Sequence, residues 1–410
     1  MNLWQHGRMD YPSLNRPFIA FLFAIVIIFG GITTDVIAQG EGNIGGSTDM
    51  MYKYADSISP ISVHTKNIRF TPFLAPVYSP ETQFMLTGGG LLTFSLNPTK
   101  AIIQRSSIPF SLGYSSTGAF QVSVRATVYG KHDRFRLQGD YLRKNMPDNY
   151  WGVGYNAALA PTQPDSTTAY DRVWQRIMAK PVFRLSKTWF LGPMFDWTTT
   201  LASNPGSVMA NDSLFQVQGN SIKTFGKGGT IQFDTRDFMV NAYKGWYLEM
   251  NVLNYKKTND STFNFWVGEF DLRHYVSVGE RRTIAMQYKM RFADKNTTWS
   301  ELSMIGTPYD LRGYYWGRFR DNSSALILVE YRHMFNPEIS SSFSKLWQRC
   351  GFVLWSGFGV VSQERFINSA WIPNVGAGFR VEVQKRMNLR VDYGIGTESS
   401  AFYFSFNEAF

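Results

Sequence analysis

The sequence predicts an all-β protein: a transmembrane antiparallel β-barrel of about sixteen strands with a long outer loop folded into its lumen. Three observations carry this. From about residue 67 hydropathy alternates with a period of two in segments of roughly 10–13 residues, long enough to cross a bilayer at a tilt, with Trp and Tyr recurring near their ends. The connections between segments sort into short ones on one side and long ones on the other, as bacterial barrels show. The aromatic fraction is 16% while mean hydropathy is −0.21. Past the N-terminus no run of about 18 apolar residues occurs, which excludes transmembrane helices, whereas barrel strands average out to mild polarity.

The N-terminal region predicts export. Arg8 and Arg16 precede an apolar stretch from Phe18 to Ile28, and Gly30-Gly31 and Val36-Ile37-Ala38 supply a small-residue cleavage region before Gln39. Residues 1–38 therefore read as a signal peptide, the alternative being an uncleaved anchor, for which the apolar stretch is short. Cys350 is the single cysteine. A lipid-modified cysteine at the cleavage region, an internal disulfide and a cysteine metal cluster are thereby excluded. Residues 39–66, rich in Gly, Ser and Asp, form a periplasmic lead-in too short to bury a core. The barrel occupies 67–410.

Within it, Phe120, Val122, Val124, Ala126 and Val128 alternate with Gln121, Ser123, Arg125, Thr127 and Tyr129, and 135–141, 246–252 and 375–384 alternate likewise. The strands are expected at 68–78, 83–95, 101–115, 118–129, 133–143, 170–184, 187–200, 223–235, 245–257, 262–276, 280–293, 323–335, 349–361, 371–385, 387–396 and 400–410. With the N-terminus in the periplasm, Lys131 to Asp133, Ser186-Lys187 and Lys385-Arg386 are periplasmic turns, and 144–169, 201–222 and 294–322 are outer loops. Phe402, Phe404, Phe406 and Phe410 share one parity. They are expected to face lipid on a final strand that ends at Phe410 and pairs with the first, leaving no open edge in lipid. Phe404, Phe406 and Phe410 are the expected C-terminal assembly signal.

The net charge of +10 does not indicate nucleic acid, because Lys and Arg are scattered singly along strands. Arg125, Arg136, Asp140, Glu249, Arg380 and Glu382 take the inward parity, and their mixed signs argue against a strongly ion-selective pore. Asp234 and Arg236 share the inward parity with Gln232, while Asp237 opens the turn ending at Lys244-Gly245. Paired carboxylates there could suggest acid–base or metal chemistry, but lumenal charges and a turn cap account for them. G-x-S-x-G, H-E-x-x-H and Walker motifs are absent, Gly113-Tyr114-Ser115-Ser116 has the wrong spacing for a nucleophile elbow, and His64, His132, His274 and His333 are scattered. No catalytic residue, metal ligand or cofactor is expected. A phospholipase built on a spatial Ser–His pair is the remaining enzymatic reading, and lipid hydrolysis by the purified protein would decide it.

The stretch Leu311-Arg312-Gly313-Tyr314 stands apart. It follows the polar segment 294–310, is flanked by Tyr315, Trp316 and Phe319, and precedes the strand 323–335. On that strand Ile327, Val329 and Tyr331 take the lipid parity and Leu328, Glu330 and Arg332 the inward one. A guanidinium brought into a confined lumen pairs well with carboxylates, which makes Glu330 the expected anchor of Arg312. Gly313 permits a tight turn, and Tyr314 could pack on the inner wall.

Over roughly residues 68–410 the sequence resembles the barrel domain of the BamA/TamA bacterial surface antigen family. The stretches that carry the resemblance are V-Y-S-P-E-T at 77–82, Q-F-D-T-R-D at 232–237 with K-G-W-Y at 244–247, L-R-G-Y at 311–314, and L-V-E-Y-R at 328–332. The resemblance implies that the loop between strands eleven and twelve carries a V-R-G-F/Y motif into the lumen, where this chain places Arg312. It also implies a second anchor, an Asp on the following strand, but 350–363 holds no acidic residue and Ser356 or Gly357 occupies the place. Family members carry periplasmic POTRA modules, which the lead-in cannot accommodate. The resulting expectation is a protein of the outer membrane, in contact with its lipid, inserted by the barrel assembly machinery and served by a separate periplasmic partner. It would aid insertion or translocation of outer-membrane components. The alternative is a passive pore or structural barrel with a static plug.

Overall fold

The computed structural model describes residues 68–410, apart from 80–82, 97–104, 161–166, 259–262, 364–365, 367–369 and residues 337, 339 and 385. The signal peptide and lead-in expected at 1–66, and residues 80–82 of the 77–82 stretch, lie outside the described residues.

Sixteen strands form one antiparallel sheet in which each strand pairs with its neighbour along the chain. They are β1 (Ile68–Ser79), β2 (Gln83–Phe94), β3 (Ser106–Ser115), β4 (Phe120–Tyr129), β5 (Phe135–Asn149), β6 (Ala169–Arg184), β7 (Trp189–Ser203), β8 (Ser221–Asp234), β9 (Gly245–Lys257), β10 (Asn264–Gly279) and β11 (Arg282–Ala293). After a small hairpin, β12 (Ser303–Ile305) with β13 (Phe319–Asp321), the wall resumes with β14 (Ser323–Met334), β15 (Cys350–Ser362), β16 (Ile372–Gln384), β17 (Met387–Ile395) and β18 (Ser400–Phe406).

Alternation places the side chains. On β14, Ile327 and Val329 are exposed on the outer face while Leu328 and Glu330 are fully buried inside, the apolar-out pattern a bilayer-spanning strand requires. β5 departs from expectation by continuing through 144–149, its ladder with β6 running to Asn149 opposite Ala169. Its top is polar and its Pro147 stands near the end of the ladder, opposite Asp171.

The three long connections lie at one end. Residues 150–168 carry α1 (Tyr155–Leu159), 204–220 carry α2 (Ser207–Ala210) and α3 (Ser213–Gln218), and 294–322 carry the β12–β13 hairpin. At the other end most turns are short, with a longer one at 335–349 that holds α4 (Ser342–Trp347). The outer loops pack on one another. Tyr155 stacks on Phe319 at 5.7 Å, Phe215 meets Trp299 edge-on at 5.6 Å, and the Trp299 indole N–H donates to the Gly219 carbonyl at 2.9 Å.

Two expectations for the end of the chain are corrected. β18 stops at Phe406, and Asn407, with φ of +63°, turns the following residues away from the sheet. Phe410 is buried, 6% exposed, against Tyr275, Ala285 and Leu328, and does not face lipid. β18 is also too short to mirror β1, and among the described residues the two share no hydrogen-bond ladder. They meet instead through the rings of Phe73 and Phe404, 6.2 Å apart, while Gln384 of β16 donates to Thr71 of β1 at 2.6 Å. Phe402 keeps the outward, exposed orientation. Phe406 is the last strand residue, and its side chain is outside the described set.

Candidate functional site

The 294–322 loop reaches its site because its own backbone is held at both ends. β12 and β13 pair Ser303 with Asp321 and Ile305 with Phe319, and this stem presents 306–318 as a tip. The tip is shaped by Asp310, whose carboxylate accepts from the Thr307 N–H at 2.6 Å and the Gly306 N–H at 3.2 Å. Burial pushes the Asp310 carboxyl above its ordinary range.

Leu311, Arg312 and Tyr314 are all buried in the lumen. Leu311 packs with Ile305, Phe319 and Leu328. Arg312 is gripped from two walls, by Glu330 of β14 and by Asp392 of β17 at 2.7 Å. Its guanidinium also lies 3.6 Å from the ring centroid of Trp355 on β15. Its carbonyl accepts from the Asn374 amide of β16. The Gly313 N–H donates to the Tyr403 hydroxyl at 2.9 Å, and the Ser399 hydroxyl donates to the Gly313 carbonyl at 2.7 Å. Tyr314 donates its hydroxyl to the Pro373 carbonyl at 2.5 Å. The motif thus touches every wall strand from β14 to β18.

This approach is backbone on backbone. Gly313 has φ of +115°, and a Cβ there would lie 2.6 Å from the Gly394 carbonyl carbon; a Cβ on Gly394 would lie 2.4 Å from that of Arg312. Both positions need glycine, for lack of space and, at Gly313, for backbone conformation as well.

The two carboxylates that hold Arg312 are themselves held. Glu330 accepts from Arg332 at 2.9 Å. Asp392 accepts from Arg380 at 2.5 Å and Arg390 at 3.3 Å. The circuit closes through the chain's last residues: Glu408 accepts from Arg380 at 2.9 Å and Asn388 at 2.7 Å, and the Phe410 main-chain oxygen accepts from Arg332 at 3.0 Å. A continuous path of paired groups therefore runs Glu408, Arg380, Asp392, Arg312, Glu330, Arg332, Phe410, joining the segment after β18 to the tip of an outer loop.

Sequence parity reached Glu330 but missed Asp392 and Trp355. The second carboxylate comes from β17, three strands beyond Glu330, and not from the strand after it. On that next strand the residue opposite Glu330 is Trp355, so the place assigned to Ser356 or Gly357 is filled by an indole face. The signal for Trp355 was its inward parity, an aromatic where a barrel wall is ordinarily polar.

The other singled-out charges lie apart from this site. Asp234 accepts from Arg236 at 2.9 Å and from Arg136 at 2.9 Å, and Arg136 also bonds Asp133 at 2.7 Å. Arg125 pairs with Asp140 at 2.8 Å and Lys180 with Glu249 at 2.6 Å. These are mutually neutralising wall pairs. Glu301, on the loop's descending arm, differs: its Oε1 is buried without a hydrogen-bond partner, and burial, with Asp196 of the wall nearby, pushes its carboxyl up to about 7.

No protein-family model matches the chain, and no curated protein sequence matches it. Solved structures do. The chain is similar to CdiB from Escherichia coli at 9% identity and a TM-score of 0.51, over 85% of this chain and 63% of that one. It is similar to CdiB from Acinetobacter baumannii at 13% identity and 0.49, over 84% and 60%. BamA from Haemophilus ducreyi lacking POTRA domains 1-3 gives 11% and 0.49, over 84% and 69%. The chain spans about two thirds of the length of these solved chains. At such identities the likeness speaks to fold alone, and what it shows is a β-barrel architecture of the kind found in CdiB from Escherichia coli.

Proposed function

We propose that the protein resides in the outer membrane and aids insertion or translocation of outer-membrane components, with the 294–322 loop as the latched element that controls the lumen. The observation that carries this reading is the grip on Arg312. A loop meant only to fill a lumen is held most simply by apolar packing, because replacing a buried ion pair by well-packed apolar groups is often neutral or stabilising. Here a fully buried guanidinium is placed between two carboxylates from separate strands, an arrangement suited to a contact that must be specific and able to re-form. In this reading the protein works without catalysis or cofactor. Its partners are outer-membrane lipid, the barrel assembly machinery for its own insertion, and a separate periplasmic protein that delivers clients; nucleic acid is not among them.

A second reading, a passive barrel with a static plug, is favoured by one observation: the loop is also packed against both other long outer loops through Phe319 and Trp299. One experiment separates the two. An unfolded outer-membrane barrel is added to lipid vesicles that are empty, that contain this protein, or that contain Arg312→Ala. Faster folding with the wild-type protein than with empty vesicles, altered by Arg312→Ala, is the expected result. Equal rates in all three refute insertion and leave the passive barrel.

A further inference from the structure

The outer wall of a barrel is apolar where it meets lipid, and over β7–β10 it follows that rule with one charged exception. The outward positions of these four strands hold no Asp or Glu. Near the end that carries the long loops they hold three lysines, Lys223 and Lys227 of β8 and Lys256 of β9, all exposed. The register fixes their arrangement. Phe225 stands opposite Lys256, and Lys227 opposite Asn254, so Lys256 lies between the other two on the neighbouring strand, diagonal to each at roughly 7–8 Å. Lys223 and Lys227 are about 13 Å apart along their own strand.

Among the described residues none of these three ammonium groups meets an ion-pair, hydrogen-bond or aromatic partner. Other lysines do: Lys180 binds Glu249 at 2.6 Å, and Lys257 donates to the Gln218 carbonyl at 3.1 Å. The carboxylate of Asp294, which meets this wall beside Trp266, is engaged by backbone, accepting from the Trp266 N–H at 2.8 Å and the Asn296 N–H at 2.9 Å. The lysines do not stand clear of the apolar wall. Phe225, between Lys223 and Lys227, is exposed and stacks on Phe195 at 6.5 Å. Val252 and Trp266 are exposed beside them, and so is Leu201, which lies opposite Ser221 and hence nearer the loops than Lys223. Lys227 sits above Phe233, whose contact with Trp189 at 5.0 Å marks the aromatic girdle of the other end. At a strand tilt of about 40° the six intervening steps rise about 15 Å, inside an apolar band about 25 Å tall. A lysine at that depth keeps its charge by extending toward the polar boundary, the direction in which Lys256 and Lys223 stand. Three cations so placed repel one another and are costly in lipid unless an anion joins them.

We propose that this patch binds the phosphate monoester head of a membrane lipid in the leaflet at the long-loop end, with the acyl chains lying along Phe225, Val252 and Trp266. A phosphate monoester carries a charge near −2 and three strong acceptor oxygens, which match three ammonium donors arriving from three positions; a carboxylate offers one charge and two oxygens. Lysine serves such a head as a mobile point charge, and the apolar residues around it receive hydrocarbon. The site rests on the outer-membrane residence proposed above, but not on the Arg312 latch, which lies on the lumenal side of the wall.

The test is native mass spectrometry of the full chain in detergent, with dioleoyl phosphatidic acid as probe and dioleoyl phosphatidylcholine, which has the same chains and a choline-capped phosphate, as its counterpart. Heat-modifiable mobility is read first in every sample. The wild type should retain one phosphatidic acid in clear preference to phosphatidylcholine. Lys256→Gln should weaken that binding about tenfold, as expected for loss of one charge-assisted contact, and the triple change Lys223→Gln, Lys227→Gln, Lys256→Gln should bring the two lipids level. Arg143→Gln, which removes an exposed cation from the outer wall of β5, should leave the preference unchanged. Equal retention of both lipids by the wild type would overturn the proposal, as would a preference indifferent to the lysine changes or equally sensitive to Arg143→Gln. Displacement of the lipid by millimolar inorganic phosphate would mean a site for free phosphate and would overturn it too. A wild-type chain without heat-modifiable mobility would refute the membrane reading and this site together, whereas a heat-modifiable barrel without the preference refutes the site alone.

Discussion

Removing Arg312 and removing Glu330 should not be equivalent, and the inequality tests the latch. Arg312→Ala strips a guanidinium from two carboxylates, but neither is orphaned: Glu330 keeps Arg332 at 2.9 Å, and Asp392 keeps Arg380 at 2.5 Å and Arg390 at 3.3 Å. What is lost is two charge-assisted contacts and the stacking on Trp355, on the order of 3 kcal/mol in a buried site. Glu330→Gln leaves Arg312 and Arg332 both facing a neutral amide. Arg332 then retains the Phe410 oxygen, and about 3–5 kcal/mol is the usual scale for breaking a buried pair from one side. Glu330→Gln should therefore be the worse change. Arg312→Ala should partly suppress it, because it withdraws one of the two crowded cations, and the double change should lie well below the sum of the singles. The assay is guanidinium unfolding in lipid vesicles followed by tryptophan fluorescence, with single-channel conductance reporting loop release. Additive costs, or Arg312→Ala clearly worse than Glu330→Gln, would refute a latch built on shared carboxylates.

Further predictions address the loop's backbone, its acid and its far anchor. Gly313→Ala and Gly394→Ala should each displace the tip and raise conductance to a similar degree, since the two Cβ atoms would intrude on the same backbone contact; an unchanged conductance in both would mean the tip has room to move. Glu301 should make loop closure pH-dependent. Its carboxyl is raised from 4.5 to about 7, so the stability it contributes is fully present below about pH 4.5 and is lost as pH rises through 7, on the order of 1–2 kcal/mol after allowing for solvent near the loops. Conductance should rise between about pH 4.5 and 8 in the wild type, and Glu301→Gln, which mimics the protonated acid, should flatten that rise. Phe410→Ala should destabilise the barrel by about 3 kcal/mol as a buried aromatic truncation and lower its amount in outer-membrane fractions, while exposed Phe402→Leu should leave the amount unchanged.

Much of the architecture was legible because a barrel strand writes its two environments into alternate residues. β9 was expected at 245–257 and occupies Gly245–Lys257, where Trp246, Met250 and Val252 face out. The same parity pointed to Glu330. It could not reach Asp392, because parity states which residues face the lumen and not which of them lie opposite a given loop tip. That depends on how the strands wrap around the lumen, and the tip happens to approach the wall where Gly394 leaves a gap beside Asp392. The extension of β5 through 144–149 was hidden for a different reason: Asn145, Pro147, Asp148 and Asn149 have turn-like composition, yet a barrel ladder needs apolar outward residues only where its outer face meets hydrocarbon.

The misplacement of Phe410 had a signal in the sequence that outweighs the one used. Phe402, Phe404, Phe406 and Phe410 share a parity, but so does Glu408, and a straight strand to 410 would hold that carboxylate against hydrocarbon, a costly position on the lipid face of a barrel. The chain resolves the conflict at Asn407. Asparagine is among the few residues other than glycine that adopt the left-handed region at modest cost, and its φ of +63° rotates Glu408 inward to Arg380 and Asn388. The turn that keeps an acid out of lipid is also what carries Phe410 to Arg332. Arg380 and Arg332 are thus each shared between this segment and a carboxylate of the Arg312 latch, so the residues after β18 contribute to the orientation of both anchors of the loop tip.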